Sequence, residues 1–480
     1  MRPLLGSTVA LALLLGAGEA RADVPQAPPV DAARASASAG SAASDVAVPA
    51  MTLAEAIAYA KAHAPEVRAA EARLKAQVAQ SESVGAEWYP SVGATAQVFG
   101  ATGNNWTGTF VGQRSFDLPR VGATRSNTLD MAPYASTIVA AGLNQPVYEF
   151  GRIAAKRAAM DSLVQAEQHR GRQDTLDLLF NVEEAFVAVL TAKALARSAD
   201  GAVTRARAIR DQAAAKVKAG LVAHGAVARI EADLARAEAQ AVRAEGGVRV
   251  AQSTLAAAIG SDRVAVDARE APATREELPA LGLAVERAKA RSPRVLRVLA
   301  ELEAEERRTK AIAAESRPTV YATASISVRG GGAPNSANTE LTGRGILPYV
   351  PNYDVGLVLS WPIFDGVTSG REEAQRARED LKRTELVVTE RLEMAALRRA
   401  YLEVETARGA LASLDRAITS ARESYAQAEA GFAAGMTSNV DVASASLLVI
   451  DAESNQAVAA FQLARARAQL GRLLAEEPKK

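Results

Sequence analysis

Few side chains in this sequence are placed to do covalent chemistry. There is no cysteine. That removes thiolate nucleophiles, thiolate metal sites, disulfides and a lipid carried on an N-terminal cysteine. The three histidines, His63, His169 and His224, are scattered, and none falls in a His-Glu-x-x-His or similar metal spacing. No Gly-x-x-x-x-Gly-Lys run offers a phosphate cradle, and no nucleophile, base and acid are arrayed for acyl transfer. Charged runs such as Glu301 to Arg308 read as solvated helix faces. The sequence therefore predicts no enzyme, no cofactor and no metal. A formal net charge of +1 gives no electrostatic case for nucleic acid. What remains is physical rather than covalent chemistry. All three tryptophans, Trp88, Trp106 and Trp361, lie in two segments that read as β-hairpins, with Tyr89, Tyr148 and Phe364 at their ends. Asp441 stands just past a turn, where a carboxylate near a helix N-terminus is favourable.

The elements that must position these groups occur twice. Leu53 to Val67 (LAEAIAYAKAHAPEV) aligns without a gap to Leu281 to Val295 (LGLAVERAKARSPRV), 228 residues later. The same offset pairs Pro90 with Pro318. Pro146-Val147-Tyr148 then meets Pro362-Ile363-Phe364 at an offset of 216, and Ala185-Phe186 meets Ala400-Tyr401 at 215. Each half thus holds the same parts in the same order. The spacing predicts a first repeat over 51–260, with a β-hairpin over 90–147 and a helical tip near 219–225. The second repeat covers 281–475, with a hairpin over 318–363 and a tip near 434–439. An inter-repeat linker spans 261–280, and a short tail 476–480.

Within a repeat, Met51 to Glu87 reads as one helix, with Thr52 as N-cap and Glu55 three residues on. Strands follow over Ser91 to Val98, over Tyr134 to Val147, over Thr319 to Val328 and over Tyr353 to Ile363, alternating with period two. Aromatic side chains at the ends of short alternating strands are the girdle pattern of outer-membrane barrels, and two soluble hairpins with aromatic anchors fit the same residues. Gly151 to Lys218 and Gly366 to Ala434 contain no proline and read as long helices of roughly 100 Å at 1.5 Å per residue. In the second, positions 397, 400, 404, 407, 411, 414, 418, 421, 425, 428 and 432 are apolar or small in steps of three and four, which is a heptad seam. Shifted back by 215, the seam recurs in the first helix, broken at Arg210. Gly220 and Gly435 end the long helices and suit a left-handed cap. Return helices run to about Ile259 and Leu474.

The N-terminus reads as a secretory signal peptide over 1–22, with Arg2, an apolar run from Leu4 to Gly16, and Ala20-Arg21-Ala22 as the cleavage pattern. An Ala-, Ser- and Pro-rich flexible linker over 23–50 follows. No later stretch is apolar enough for a spanning helix, so a membrane span in this exported chain has to be a β-barrel. Four strands are too few to close one, since single-chain barrels start at about eight. Strands from other copies are needed, and cyclic symmetry is the usual solution.

The mature chain resembles the TolC-like family of outer-membrane efflux proteins over about residues 51 to 475. The most specific stretch is Ala430 to Ser446, AGFAAGMTSNVDVASAS, with the family's Gly-Leu-Val-Ala turn at Gly220 to Ala223. The resemblance implies a mainly α fold with a β-barrel portion: a homotrimeric channel-tunnel with four strands per chain, a twelve-stranded barrel in outer-membrane lipid, and long coiled-coil helices in the periplasm. It implies a passive exit duct of a tripartite efflux or type I secretion system, docked to a periplasmic adaptor and an inner-membrane transporter of RND or ABC type, with drugs, metals or polypeptides as cargo. Tip residues Gly220, Leu221, Val222, Gly435, Met436, Thr437 and Ser438 are expected to contact the adaptor. Trp88, Tyr89, Tyr148, Trp361 and Phe364 are expected at the membrane interface. Asp441 matches one aspartate of the family's pore constriction. The next ring acid falls on Ser444, the aspartate of the first tip on Ala226, and the tyrosine and arginine of the closing links on Phe432 and Thr437, so those closing bonds are not expected here. A coiled-coil scaffold without a pore is the competing reading. It has no need of four strands with aromatic ends.

Overall fold

The computed structural model describes residues 48–102, 133–218, 224–269, 278–331 and 350–476. After a two-residue strand β1 (Ala50–Met51), the first repeat runs through α1 (Leu53–His63) and α2 (Pro65–Gly85). A one-turn 3-10 helix (Ala86–Trp88) leads into β2 (Ser91–Thr102), β3 (Pro133–Tyr148), α3 (Arg152–Lys218) and α4 (His224–Ala258). After a second short strand, β4 (Asp267–Ala268), the other repeat follows the same plan. It runs through α5 (Leu281–Arg291), α6 (Pro293–Glu315), β5 (Thr319–Gly331), β6 (Val350–Ser360), α7 (Gly366–Ala433) and α8 (Asn439–Leu473).

The capping box at Thr52 forms as its sequence dictates: Glu55 N donates to Thr52 Oγ1 at 3.3 Å, and Thr52 N to Glu55 Oε2 at 2.8 Å. The single helix expected over Met51 to Glu87 does not. It breaks at Ala64, which is extended (φ −60°, ψ 130°), and restarts with Pro65 in the first turn of α2. Proline lacks the N–H that would continue the helix and disfavours a helical residue before it. Ser292 and Pro293 repeat the break between α5 and α6. Two further expectations shift. The fourth strand ends at Ser360, so Trp361 and Ile363 stand beyond it. The two stretches read as linkers are joined where they meet the repeats, because β1 pairs in parallel with β4, Ala50 with Asp267 and Met51 with Ala268. A two-residue ladder is too short to leave a period in the sequence. Lys193 secures it, donating from Nζ to Asp267 Oδ2 at 2.7 Å. The expected signal peptide lies outside the described residues.

Each repeat buries its own core, and the two cores match. Ala56 and Ala60 of α1 pack with Val182, Ala185 and Val189 of α3 and with Leu255 and Ile259 at the end of α4. Ala284 and Ala288 of α5 pack with Leu397, Ala400 and Val404 of α7 and with Leu463, Leu470 and Leu474. Alanine at these contacts lets helix backbones approach closely while larger residues fill the gaps between them. All eleven seam positions of α7 are buried or half-buried, and so are the corresponding positions of α3. Arg210, which interrupts the pattern, is half-buried and paired with Asp211 at 2.7 Å.

The helices form a layer. Near the strands the order is α2, α3, α6, α7, and farther along it is α4, α3, α8, α7. Helix α3 is interior throughout. Helices α2 and α4 form one free edge and α7 the other. The long strands form one antiparallel sheet in the order β2-β3-β5-β6. Its edges, β2 and β6, belong to different repeats. Among the described residues no helix is long and apolar enough to cross a membrane.

Candidate functional site

Three places carry the features that the sequence singles out: the sheet, its junction with the long helices, and the turn between α7 and α8. In the sheet, side chains alternate between faces, and the register fixes which residues share one. Ala94 opposes Ala141, Ala141 opposes Ile326, and Ile326 opposes Tyr353. Following these pairs, one face carries Val92, Val98, Val139, Leu143, Val320, Ile326, Val355, Leu357 and Leu359. The other carries Thr95, Gln97, Asn144, Thr323, Ser325, Ser327, Asn352 and Asp354. The apolar face is uncovered in the single chain: Val355 is 80% exposed, and Val92, Val98, Ile326, Leu357 and Leu359 are exposed as well. Strands of 11 to 16 residues meet or exceed the roughly 9–11 residues needed to cross a bilayer. An apolar face on such strands, backed by a polar one, separates lipid from water.

The expected interface aromatics gather at one end of this sheet, where strands meet helices. Trp88 and Tyr89 precede β2, Tyr148 ends β3, and Trp361 and Phe364 follow β6, all exposed. Tyr148 also meets Phe150 edge to face, 4.7 Å between centroids. Trp106 lies outside the described residues. Gln145 Nε2 donates to the Trp88 carbonyl at 2.6 Å and holds the two strand ends together.

At this junction sit two acids that the sequence reading passed over. Glu149, 2% exposed, accepts from Ile153 N at 2.7 and 2.8 Å and so caps α3. Asp365 caps α7, accepting from Val367 N at 2.9 Å and from Thr368 Oγ1 at 2.6 Å. The offset of 216 that pairs Pro146 with Pro362 also pairs Glu149 with Asp365, so carrying the alignment three residues further finds them. The one-residue drop to 215 comes just after. There the first repeat turns through two left-handed residues, Phe150 (φ 52°) and Gly151 (φ 83°), before α3 begins.

The turn at the far end of α7 is described from Gly431 to Asp441. Gly435 is left-handed (φ 78°). Its N–H donates to the Phe432 carbonyl at 3.2 Å, and Met436 N donates to the Gly431 carbonyl at 2.8 Å. This is the Schellman pattern, which satisfies the last carbonyls of a helix and favours glycine. Thr437 turns back onto α7, donating from Oγ1 to the Ala428 carbonyl at 3.1 Å. A β-carbon on Gly431 would stand 2.8 Å from Thr437 Cγ2, so that fold-back needs glycine at 431. Ser438 caps α8 and completes a capping box with Asp441: Asp441 N donates to Ser438 Oγ at 3.3 Å, while Ser438 N and Oγ donate to Asp441 Oδ2 at 2.9 and 2.8 Å. These bonds, the backbone one foremost, hold the exposed Asp441 carboxyl below the usual aspartate range. Met436 is 80% exposed, and Gly435 and Ser438 are exposed, whereas Thr437 is half-buried. Gly220, Leu221 and Val222 lie outside the described residues. The site thus offers an exposed methionine and an exposed carboxylate, and no group of three or more His, Asp or Glu that could hold a metal occurs among the described residues.

Known proteins resemble this chain over both of its repeats. A model of the outer membrane efflux protein family matches residues 56–261 and 284–476, one stretch in each repeat. Protein CyaE of Bordetella pertussis is 30% identical over 373 residues, 75% of this chain and 70% of that protein. The outer-membrane channel OprN superposes with a TM-score of 0.72 at 20% identity, covering 89% of this chain and 91% of that one. The outer membrane protein VceC of Vibrio cholerae superposes with a TM-score of 0.68 at 18% identity, covering 88% and 96%. The chain belongs to the outer membrane efflux protein family: it is a non-catalytic duct that exports substrates across the outer membrane.

Proposed function

We propose that three copies of the chain close into one twelve-stranded barrel continued by a helical tunnel, and that this trimer is the passive exit of a tripartite efflux or type I secretion assembly. The observation that carries the reading is the sheet: an exposed apolar face and, among the described residues, two edge strands, β2 and β6. All neighbours in the sheet are antiparallel, so β2 and β6 run in opposite directions. The β2 of one copy therefore pairs antiparallel with the β6 of the next, and every edge is consumed. Two copies would make eight strands, whose interior is filled by side chains, while three leave a lumen. In this assembly Trp88, Tyr89, Tyr148, Trp361 and Phe364 anchor the periplasmic interface of the barrel. Energy comes from an inner-membrane transporter of RND or ABC type, reached through a periplasmic adaptor. Exposed Met436, flanked by Gly435 and Ser438, is the adaptor contact on the second tip, Thr437 shapes the turn beneath it, and Gly220, Leu221 and Val222 are the contact on the first.

Asp441 lines the narrowest point, one carboxylate per copy around the axis. Its role as a helix cap is compatible with this, because the capping bonds fall on Oδ2. The test is conductance of detergent-extracted protein in planar bilayers, with oligomer mass measured in parallel. A trimer with a stable low-conductance state is expected, and Asp441→Ala should weaken block by multivalent cations from the periplasmic side. Unchanged block removes Asp441 from the constriction. A monomer that never inserts leaves the coiled-coil scaffold as the better reading.

A further inference from the structure

A trough runs between α4 and α8 over α3, and small residues explain its depth. Its floor is Leu195, Ala199, Ala202 and Ala206 of α3. These follow in steps of four, three and four, so they stand in one row. Ala237 and Ala244 of α4 form one wall, and Val440, Leu447 and Ile450 of α8 the other. Alanine along the floor and one wall leaves space that larger side chains would fill. From Ala192 to Ile209 the trough is about 25 Å long at 1.5 Å per residue, and it encloses about 620 Å³. Ile209 and Ile230 close the end nearer the α7–α8 turn, where they are buried with Val442. Gly247 borders the other end, with nothing within 4 Å of where a β-carbon would stand.

The charges on this trough are mostly of one sign. Arg229, Arg236 and Arg243 border it at steps of seven along α4, all exposed. Asp233 is the one acid lining it, and Arg236 Nη1 donates to that carboxylate at 2.9 Å. Arg229 and Arg243, about 21 Å apart along the helix, pair with no carboxylate among the described residues. No charged residue of α3 or α8 lines the trough. Glu453, next to it on α8, is engaged by Ser198 and Arg422. The duplication does not dictate the arginines: at the offset of 215 they fall on Ser444, Asp451 and Val458.

We propose that this trough is a binding site for a small amphiphilic organic anion, its apolar body along the alanine floor and its acidic head on Arg229 or Arg243. Such a site goes beyond the duct reading and does not rest on it. The volume is that of a small-ligand pocket. A helix about 10 Å across and of the same length would fill roughly 2000 Å³, so the trough suits a ligand better than a buried helix. An arginine with no carboxylate of its own forms a charge-assisted hydrogen bond to an incoming anion without giving up a partner.

The probe is anilinonaphthalene sulfonate, an apolar body with one anionic head. It is titrated by fluorescence onto the full-length protein in lipid nanodiscs, with empty nanodiscs as the blank. N-phenylnaphthylamine, the same body without the sulfonate, is the uncharged control. Arg229→Gln and Arg243→Gln together should weaken the sulfonate about tenfold and leave the uncharged dye unchanged. Both arginines are exposed, so the fold tolerates their loss. Gly247→Leu fills the open end without a clash and with a better helix former, and it should weaken both dyes several-fold. Wild-type affinity for the sulfonate should also fall as salt rises. Equal affinity in the wild type and in both variants overturns the site and leaves the trough to a partner helix. Saturable binding confined to the dissociated monomer overturns it as well, because a second copy then covers the trough. Conductance in planar bilayers reads the duct separately, and a protein that never conducts leaves the dye result standing.

Discussion

Glu183 offers a test of how deeply α3 lies within the helix layer. It is half-buried, one turn beyond Leu179, which is 1% exposed, and no cation pairs with it among the described residues. Burial pushes its carboxyl up to about 7 from an ordinary 4.5. A carboxyl raised in this way contributes stability that is fully present below the unfolded value and is lost as pH rises through the folded one. Glutamine imitates the protonated acid at every pH. At about pH 8, Glu183→Gln should therefore stabilise each chain by up to roughly 3 kcal/mol, the free-energy equivalent of the shift, and near pH 4.5 it should do almost nothing. Thermal or denaturant unfolding of detergent-solubilised protein at the two pH values reads the difference. A stabilisation equal at both pH values refutes the reasoning, and so does a loss at pH 8, which would mean that a partner stabilises the Glu183 anion. The matching residue in the second repeat, at an offset of 215, is Arg398, which is exposed on α7. An interior helix and an edge helix make the same register a different environment.

Gly431→Ala should destabilise the α7–α8 turn by about 1–3 kcal/mol through its clash with Thr437, and adding Thr437→Ser, which removes Cγ2, should recover most of the loss in melting temperature. If the single change is silent, Thr437 does not fold back onto α7 in solution. Ala407→Leu should overpack the buried α7–α8 seam and cost about 1–3 kcal/mol, and unchanged melting would displace the heptad register by at least one position.

The parts of this fold that repeat a local rule are legible in the sequence. Alternation places the strands, steps of three and four place the seam, and Thr52 with Glu55 announces its own cap. Gly435 reads correctly as a left-handed helix end because only a few residues tolerate that conformation. What escapes is whatever depends on a neighbour distant in the chain. Nothing near Lys216 in sequence indicates that it reaches the carbonyl of Phe432. Nothing near Glu149 distinguishes it from Asp365, yet the former is buried and the latter exposed. The break at Ala64 was within reach, since proline marks it twice at one offset. The period of the surrounding helix masked it.

In the proposed ring, the duplication gives each chain two open edges in both of its layers. The first repeat supplies one edge of each: β2 in the sheet, α2 and α4 among the helices. The second supplies the opposite edge: β6 and α7. A second copy added head to tail therefore covers both edges in one movement, the strand edge with hydrogen bonds and the helix edge with side chains. Helix α7 offers the proposed ring a second stripe. Leu381, Val388 and Leu402 recur at multiples of seven on it and are exposed in the single chain, a stripe separate from the seam that already binds α8. An interface of this head-to-tail kind either closes into a ring or runs on as a filament. A sheet with an apolar outer face, seated in a bilayer, favours the ring, because a filament would leave polar backbone facing lipid at each end. The same reasoning ties the ring to membrane insertion: in water the edges can be met by solvent, and in lipid only by another copy.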